Sequence, residues 1–222
     1  MEANIKGLNA TSNNIGNGIS FLQAREGVLD QMGQVLSRIS ELVAQTDNML
    51  LDNTEIQATL GAEYVALSGQ LTSLVGEKFN NVDFFGAAGT SDHEIYAKDG
   101  ATQSLNAMDP NVNSGNIFII TNTPAAADIT DNTVTATVVS DAIDELAGFR
   151  AANAGELSTL QFAQETVENE VTGLTAALGR IVDVDIASES ANLAKQQILV
   201  QASASMVAQA NSVNNAALLL LQ

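Results

Sequence analysis

Apolar residues recur every seven positions near both ends of the chain. Phe21, Val28, Val35, Leu42 and Met49 form one column, and Leu22, Leu29, Leu36, Val43 and Leu50 form a second. Met32 and Ile39 fall between them on the helical wheel. The resulting apolar face is about 100° wide or more, as expected of a helix that buries one side. A seven-residue repeat held over four heptads implies a gently supercoiled bundle. The face is too broad for a two-stranded seam and calls for at least two partner helices. "LLDNTEIQ" interrupts the pattern: Asp52, Asn53 and Thr54 are candidate N-caps, and Gln57 completes a capping box with Thr54. A second helix is predicted from about Glu55 to Gly76, with Leu60, Leu67 and Leu74 in one column and Tyr64 and Leu71 in another. The short connection favours antiparallel packing.

The texture changes between Phe79 and Ser140. "KFNNVDFFGAAGTSD" sets turn residues around short apolar pieces, and "NIFIITNT" and "TVTATVVS" are β-branched and extended in character. Both prolines, Pro110 and Pro124, lie here. A hairpin and a small β-rich insert are predicted. A long helix follows from near Ser140 or Asp141, with Leu160, Val167, Leu174 and Ile181 in one column and Leu157, Val171 and Leu178 in its partner. After "RIVDVD" the heptads resume as Ile186, Leu193, Val200 and Val207, beside Leu199, Met206, Val213 and Leu220. The expected fold is mainly α: an elongated antiparallel helical bundle or coiled-coil rod with a small β-rich hairpin insert. Its segments are residues 1–79 (N-terminal rod helices), 80–139 (hairpin and variable insert), 140–185 (a long rod helix) and 186–222 (a terminal helix).

Charge narrows the function. The 222 residues carry 26 acids against 8 bases, a net charge of −18. Such a surface opposes phosphate neutralisation, which disfavours nucleic acid and anionic membranes as partners. No apolar run approaches the roughly 20 residues of a membrane span, and no basic segment with a following apolar stretch opens the chain, so any export would go by a route that does not cleave such a signal. Cysteine is absent, which removes disulfides, thiolate zinc sites and thiol nucleophiles. From Gln196 to Gln222 there is no Asp, Glu, Lys or Arg.

Motifs for chemistry fall short. His93-Glu94 opens like a zinc-protease helix, but position 97 is Ala where the second His is needed. His93 therefore reads as a solvated loop residue. Asp183 and Asp185 lack the Gly-bent loop of a calcium site and read as exposed or capping carboxylates. Gly16 and Gly18 are followed by Phe21 where a dinucleotide loop needs its third glycine. No catalytic, cofactor-binding or metal-binding set is predicted, and no enzyme.

The two ends carry a resemblance. "NIKGLNATSNNIGNGISFLQAREGVLDQMGQVLSRISELVAQTDN" resembles the N-terminal core of bacterial flagellins, with Asn4-Ile5, Gly7-Leu8, Gly18-Ile19-Ser20, Gln23, Glu26-Gly27, Leu29, Leu36, Arg38, Glu41-Leu42 and Gln45 matching and Asn17 where Asp is usual. "EKFNNVDFF" is similar to the family's QFNG segment, with Asn81 in place of Gly. "LGRIVDVDIASESANLAKQQILVQASASMVAQANSVNNAALLLLQ" resembles the flagellin C-terminus. In the family's LGA–NR segment, Arg150 is kept, Ala154 replaces Gly, and Ser158-Thr159 replace Asn-Arg. The resemblance implies a self-assembling subunit of the extracellular flagellar filament, used for motility and exported by the flagellar type III apparatus. Its implied partners are other copies and an export chaperone at the C-terminal helix, where Leu199, Met206, Val213 and Leu220 form the assembly face. It also implies about fifty further residues ahead of "NIKGL", so the N-terminal terminal helix is expected to be missing. The vertebrate cell-surface receptor for this family contacts an Arg, a Leu and a Glu. Arg38 and Leu42 match the first two; Ala62 stands where the Glu is placed, with Glu63 adjacent. An alternative is a flagellin-like rod displaying an adhesive or glycan-binding insert.

Overall fold

The computed structural model describes residues 1–46, 54–86, 93–96, 102–105, 108–109, 116–122, 125, 133–182 and 186–219. The chain forms two compact units, one of residues 3–171 and one of residues 172–222 with residues 1–2. The boundary therefore falls inside the predicted 140–185 segment.

Within the first unit, α1 (Glu2–Thr46) starts well before the predicted Phe21. Its early turns are rich in Asn, Gly and Ser, which are poor helix formers. Yet Leu8 and Ile15 continue the column of Leu22, Leu29, Leu36 and Val43, and all six are buried. Each fully buried Leu or Ile contributes roughly 1.5–3 kcal/mol, more than the propensity deficit of a few residues. α2 (Thr54–Val75) buries Tyr64 and Leu71 of one predicted column, while of the other only Leu74 is buried and Leu60 and Leu67 are half-buried. The predicted Asp52 and Asn53 caps, with Met49 and Leu50, lie outside the described residues.

A tight hairpin follows: β1 (Lys78–Phe79) pairs antiparallel with β2 (Val82–Asp83). Asn80 (φ 49°) and Asn81 (φ 66°) form its two-residue turn. Positive φ at both central positions matches the right-handed twist of the strands, and Asn tolerates it better than other residues with a Cβ. Phe79 and Phe84 seat the hairpin on α1, with ring centroids 6.1 Å and 5.1 Å from that of Phe21. Next, β3 (His93–Tyr96) pairs antiparallel with β4 (Thr102–Leu105), His93 opposite Leu105. His93 thus stands in a strand, not in the predicted loop.

Among the described residues, two further stretches of the predicted β-rich insert are helical. "NIFIITN" is α3 (Asn116–Asn122). Two packing partners override its β-branched composition. The Glu145 carboxylate accepts the backbone N–H groups of Asn116 (3.1 Å) and Ile117 (3.4 Å), which satisfies donors that a helix start leaves open. Ser68 of α2 donates to the Ile120 carbonyl at 2.5 Å while Ile117 and Ile120 are buried. α4 (Ala136–Val182) begins four residues before the predicted Ser140. Thr135 caps it, its Oγ1 accepting the Val138 N–H at 3.3 Å, so "TVVS" is the first helical turn and not a strand.

In the second unit, the end of α4 is followed by α5 (Ile186–Leu219). Asp183 and Asp185 lie outside the described residues. The mainly helical class, with long helices and only small antiparallel strand pairs, is as predicted.

Asn81→Gly should raise stability by roughly 0.5 kcal/mol, because Gly adopts φ near 66° without the Cβ strain. A higher urea midpoint at unchanged slope is the expected result.

Candidate functional site

Two arrangements stand out: a buried polar layer between α1 and α4, and an exposed apolar surface on α5.

α4 runs antiparallel to α1. Gly33 of α1 faces Leu146, Arg25 faces Asn153, and Gly18 faces Leu160. Val139, Leu146, Leu160 and Val167 are buried along one seven-residue column of α4. Position 153 of that column is Asn, also buried. On α1, Gly18, Arg25, Met32 and Ile39 form a buried column, and its second position is Arg. The two exceptions meet. Arg25 Nε donates to Asn153 Oδ1 at 2.7 Å, and Nη2 donates to Glu156 Oε2 at 2.5 Å. The Asn153 amide donates to the Leu22 carbonyl and to Glu26 Oε2, both at 3.1 Å. Arg150 closes the outer edge, with Nε on Glu26 Oε1 at 2.7 Å and Nη2 3.5 Å from Asp30 Oδ1. The Arg25 guanidinium also lies 5.8 Å from the centroid of the Phe21 ring. Burial pushes the Arg25 pKa down, against the opposing pull of Glu156. The hydrogen bond to Glu26 raises that of Arg150.

Sequence reasoning missed this layer, although the signal was present. Arg25 stands seven residues before Met32, and Asn153 seven before Leu160, both in apolar columns.

One heptad from Arg25, Gly18 receives the insert. A Cβ there would overlap the Ile95 side chain of β3 and approach Leu160 Cδ1 at 3.1 Å. This is the close approach that makes glycine necessary. Beside it lies a cavity of about 380 Å³, lined mainly by Asn14, Asn17, Phe21, Phe79, Glu94 and Leu105. Gly18 therefore serves strand docking and not phosphate binding.

Among the described residues no group of three or more His, Asp or Glu side chains is placed to hold a metal ion, and no helix is long and apolar enough to cross a membrane. Arg38 and Leu42 do not form one surface. Leu42 is fully buried in the unit's own core, so its side chain offers nothing to a receptor. Arg38 is half-exposed, with Nε on Glu63 Oε1 at 2.8 Å and Nη1 on Glu41 Oε2 at 2.7 Å. Those bonds, Glu41 first, raise its pKa. Ala62 is exposed beside them.

On α5 every described large apolar side chain is exposed, including Leu199 (58%), Met206 (74%) and Val213 (58%). Leu220 lies outside the described residues. Only Glu189 and Lys195 carry charge on this helix.

Long helices, heptad columns and an unspent apolar face define a structural protein of helical-bundle type. Comparison with known proteins agrees. Residues 1–90 match the bacterial flagellin N-terminal helical region, and residues 136–221 match the bacterial flagellin C-terminal helical region. A flagellin of Halalkalibacterium halodurans is 32% identical over 228 residues, spanning 100% of this chain and 81% of the relative. The flagellar filament 33 kDa core protein of Treponema phagedenis is 30% identical over 241 residues (100% and 82%). Bacillus subtilis flagellin is 30% identical over 243 residues (95% and 80%). The crystal structure of Bacillus cereus flagellin has the same fold, with a TM-score of 0.58 at 24% identity over 75% of this chain and 94% of that one. The chain belongs to the bacterial flagellin family. The N-terminal match begins at residue 1, so the expected lack of the N-terminal region is not supported.

Two substitutions probe the seam. Arg25→Ala should cost roughly 3–5 kcal/mol in urea unfolding, because it takes the cation from the buried Glu156 carboxylate and the donor from Asn153 Oδ1. Gly18→Leu should eject Ile95, lost amide protection at residues 93–96 with α1 protection retained being the expected hydrogen-exchange result.

Proposed function

We infer that the chain is a structural subunit of the extracellular bacterial flagellar filament and polymerises with further copies of itself. It performs no catalysis. The observation that carries this reading is the apolar face of α5, exposed over Leu193, Leu199, Val200, Met206, Val207 and Val213 on a helix with two charges. Burying such a face yields roughly 25 cal/mol per Å². Head-to-tail contacts that do not close into a ring build helical filaments, so repeated burial of one face between copies gives an open polymer. The column Leu199, Met206 and Val213 is the assembly stripe of this helix, and Leu220 continues its seven-residue spacing in the sequence. Before assembly the same stripe is the natural seat for an export chaperone, and the route out is the flagellar type III apparatus. For the vertebrate receptor, the surface available is Arg38 with Glu63, since Leu42 is enclosed.

The test uses a bacterium that lacks its own filament subunits but keeps the export machinery. The gene encoding this chain should restore filaments visible by electron microscopy. Leu199→Asp, Met206→Asp and Val213→Asp together should shorten or abolish them, by roughly tenfold or more in polymer mass, while the unit of residues 3–171 keeps its melting transition. Filaments of normal length from the triple variant would overturn the assignment of α5.

A further inference from the structure

The polar layer between α1 and α4 is costly to bury, and its position along the seam is informative. Both helices present apolar columns with a seven-residue repeat: Leu8, Ile15, Leu22, Leu29, Leu36 and Val43 on α1, and Val139, Leu146, Leu160 and Val167 on α4. Apolar side chains of similar size do not distinguish one alignment from another displaced by one heptad. Such a slip moves the helices by seven residues, about 10 Å at 1.5 Å per residue. In the observed alignment, residue numbers facing each other sum to about 178, as in Arg25 with Asn153 and Gly18 with Leu160.

In a slipped alignment Arg25 would face Leu146 or Leu160 in place of Asn153. A guanidinium and a carboxylate would then be buried without each other, which is far more costly than any difference between apolar pairings. The Asn153 amide would likewise lose Glu26. A single buried polar position in an apolar heptad seam is the best-attested device for setting register.

We propose that Arg25, Asn153 and Glu156 form the register key of the α1–α4 seam, the one layer that selects a single axial alignment of two otherwise repetitive helices. The key positions everything else on the seam. Gly18 lies one heptad from Arg25, and its notch receives Ile95 only where it stands opposite Leu160. Glu26, Asp30 and Arg150 flank the key on the exposed side and extend its reach along α1 by about one turn.

The test measures alignment directly. The chain has no cysteine, so Gln31→Cys with Ser158→Cys places spin labels on exposed positions of α1 and α4 without further change. In the full chain with the native key, pulsed dipolar spectroscopy should give one distance. The composition-neutral swap Arg25→Met with Met32→Arg moves the arginine one heptad along α1. It should shorten that distance by roughly 5–8 Å, because Arg at position 32 meets Asn153 and Glu156 only after an axial slip, and only the axial part of the label separation changes. The all-apolar set Arg25→Met, Asn153→Leu and Glu156→Met should keep its helical circular dichroism and broaden the single distance into at least two populations several ångströms apart, as alignments one heptad displaced become populated. One unchanged distance in both folded variants would overturn the proposal. So would loss of helix in the all-apolar variant, which would make the layer a requirement for folding and not for alignment. Neither outcome bears on filament formation, which depends on α5.

Discussion

A guanidinium withdrawn from water has to be met by acceptors, and the α1–α4 seam is arranged around that requirement. Arg25 is almost completely buried, with Asn153 and Glu156 as its acceptors and the Phe21 ring alongside. Asn153 is itself committed to the Leu22 carbonyl and to Glu26, and Glu26 in turn to Arg150. Removing Arg25 takes the donor from Asn153 Oδ1 and the cation from Glu156. The apolar columns on either side supply the driving force for packing, and the polar layer supplies the demand for one arrangement.

The hairpin and the insert follow from that arrangement. Phe21 receives Phe79 and Phe84, while Gly18, three residues earlier and so on a neighbouring part of the same helix face, receives Ile95. α3 is held from two sides, by the Glu145 carboxylate at its start and by Ser68 under the Ile120 carbonyl. Each of these contacts joins segments distant in sequence, and Ile95 packs where Gly18 and Leu160 face each other across the α1–α4 seam.

α5 uses its apolar residues differently. In the unit of residues 3–171 the leucines, isoleucines and valines of the heptad columns are spent on the subunit's own core. On α5 they remain at the surface, on a helix that is nearly uncharged in a chain of net charge −18. A large exposed apolar surface on a protein of this charge marks an interaction site. The acids that keep the subunit apart from other molecules lie elsewhere, so repulsion is weakest where association releases most free energy.

Much of this was written in the order of residues alone. Seven-residue columns are a property of the chain, so the long helices, most of the buried face of α1 and the apolar stripe of Leu199, Met206 and Val213 could be read directly, while Ile181 of a predicted column is exposed. Turn chemistry is local as well, and the turn residues of "KFNNVDFFGAAGTSD" pointed to a hairpin, though only the structure placed its turn at Asn80-Asn81. "NIFIITN" could not be read this way, because its β-branched composition favours a strand until Glu145 and Ser68 supply the hydrogen bonds and cover that make a helix. Leu42 stands in an apolar column and Arg38 does not, so burial of the one and exposure of the other followed from the period. Arg25 and Asn153 are different. Each interrupts an apolar column, which the sequence displays, but that the interruptions meet is a matter of axial alignment between helices more than a hundred residues apart. Periodicity sets which side of a helix is buried; it repeats every heptad and so carries no information about which turn faces which. Only the tertiary structure, through one buried charge that needs its partners, decided that.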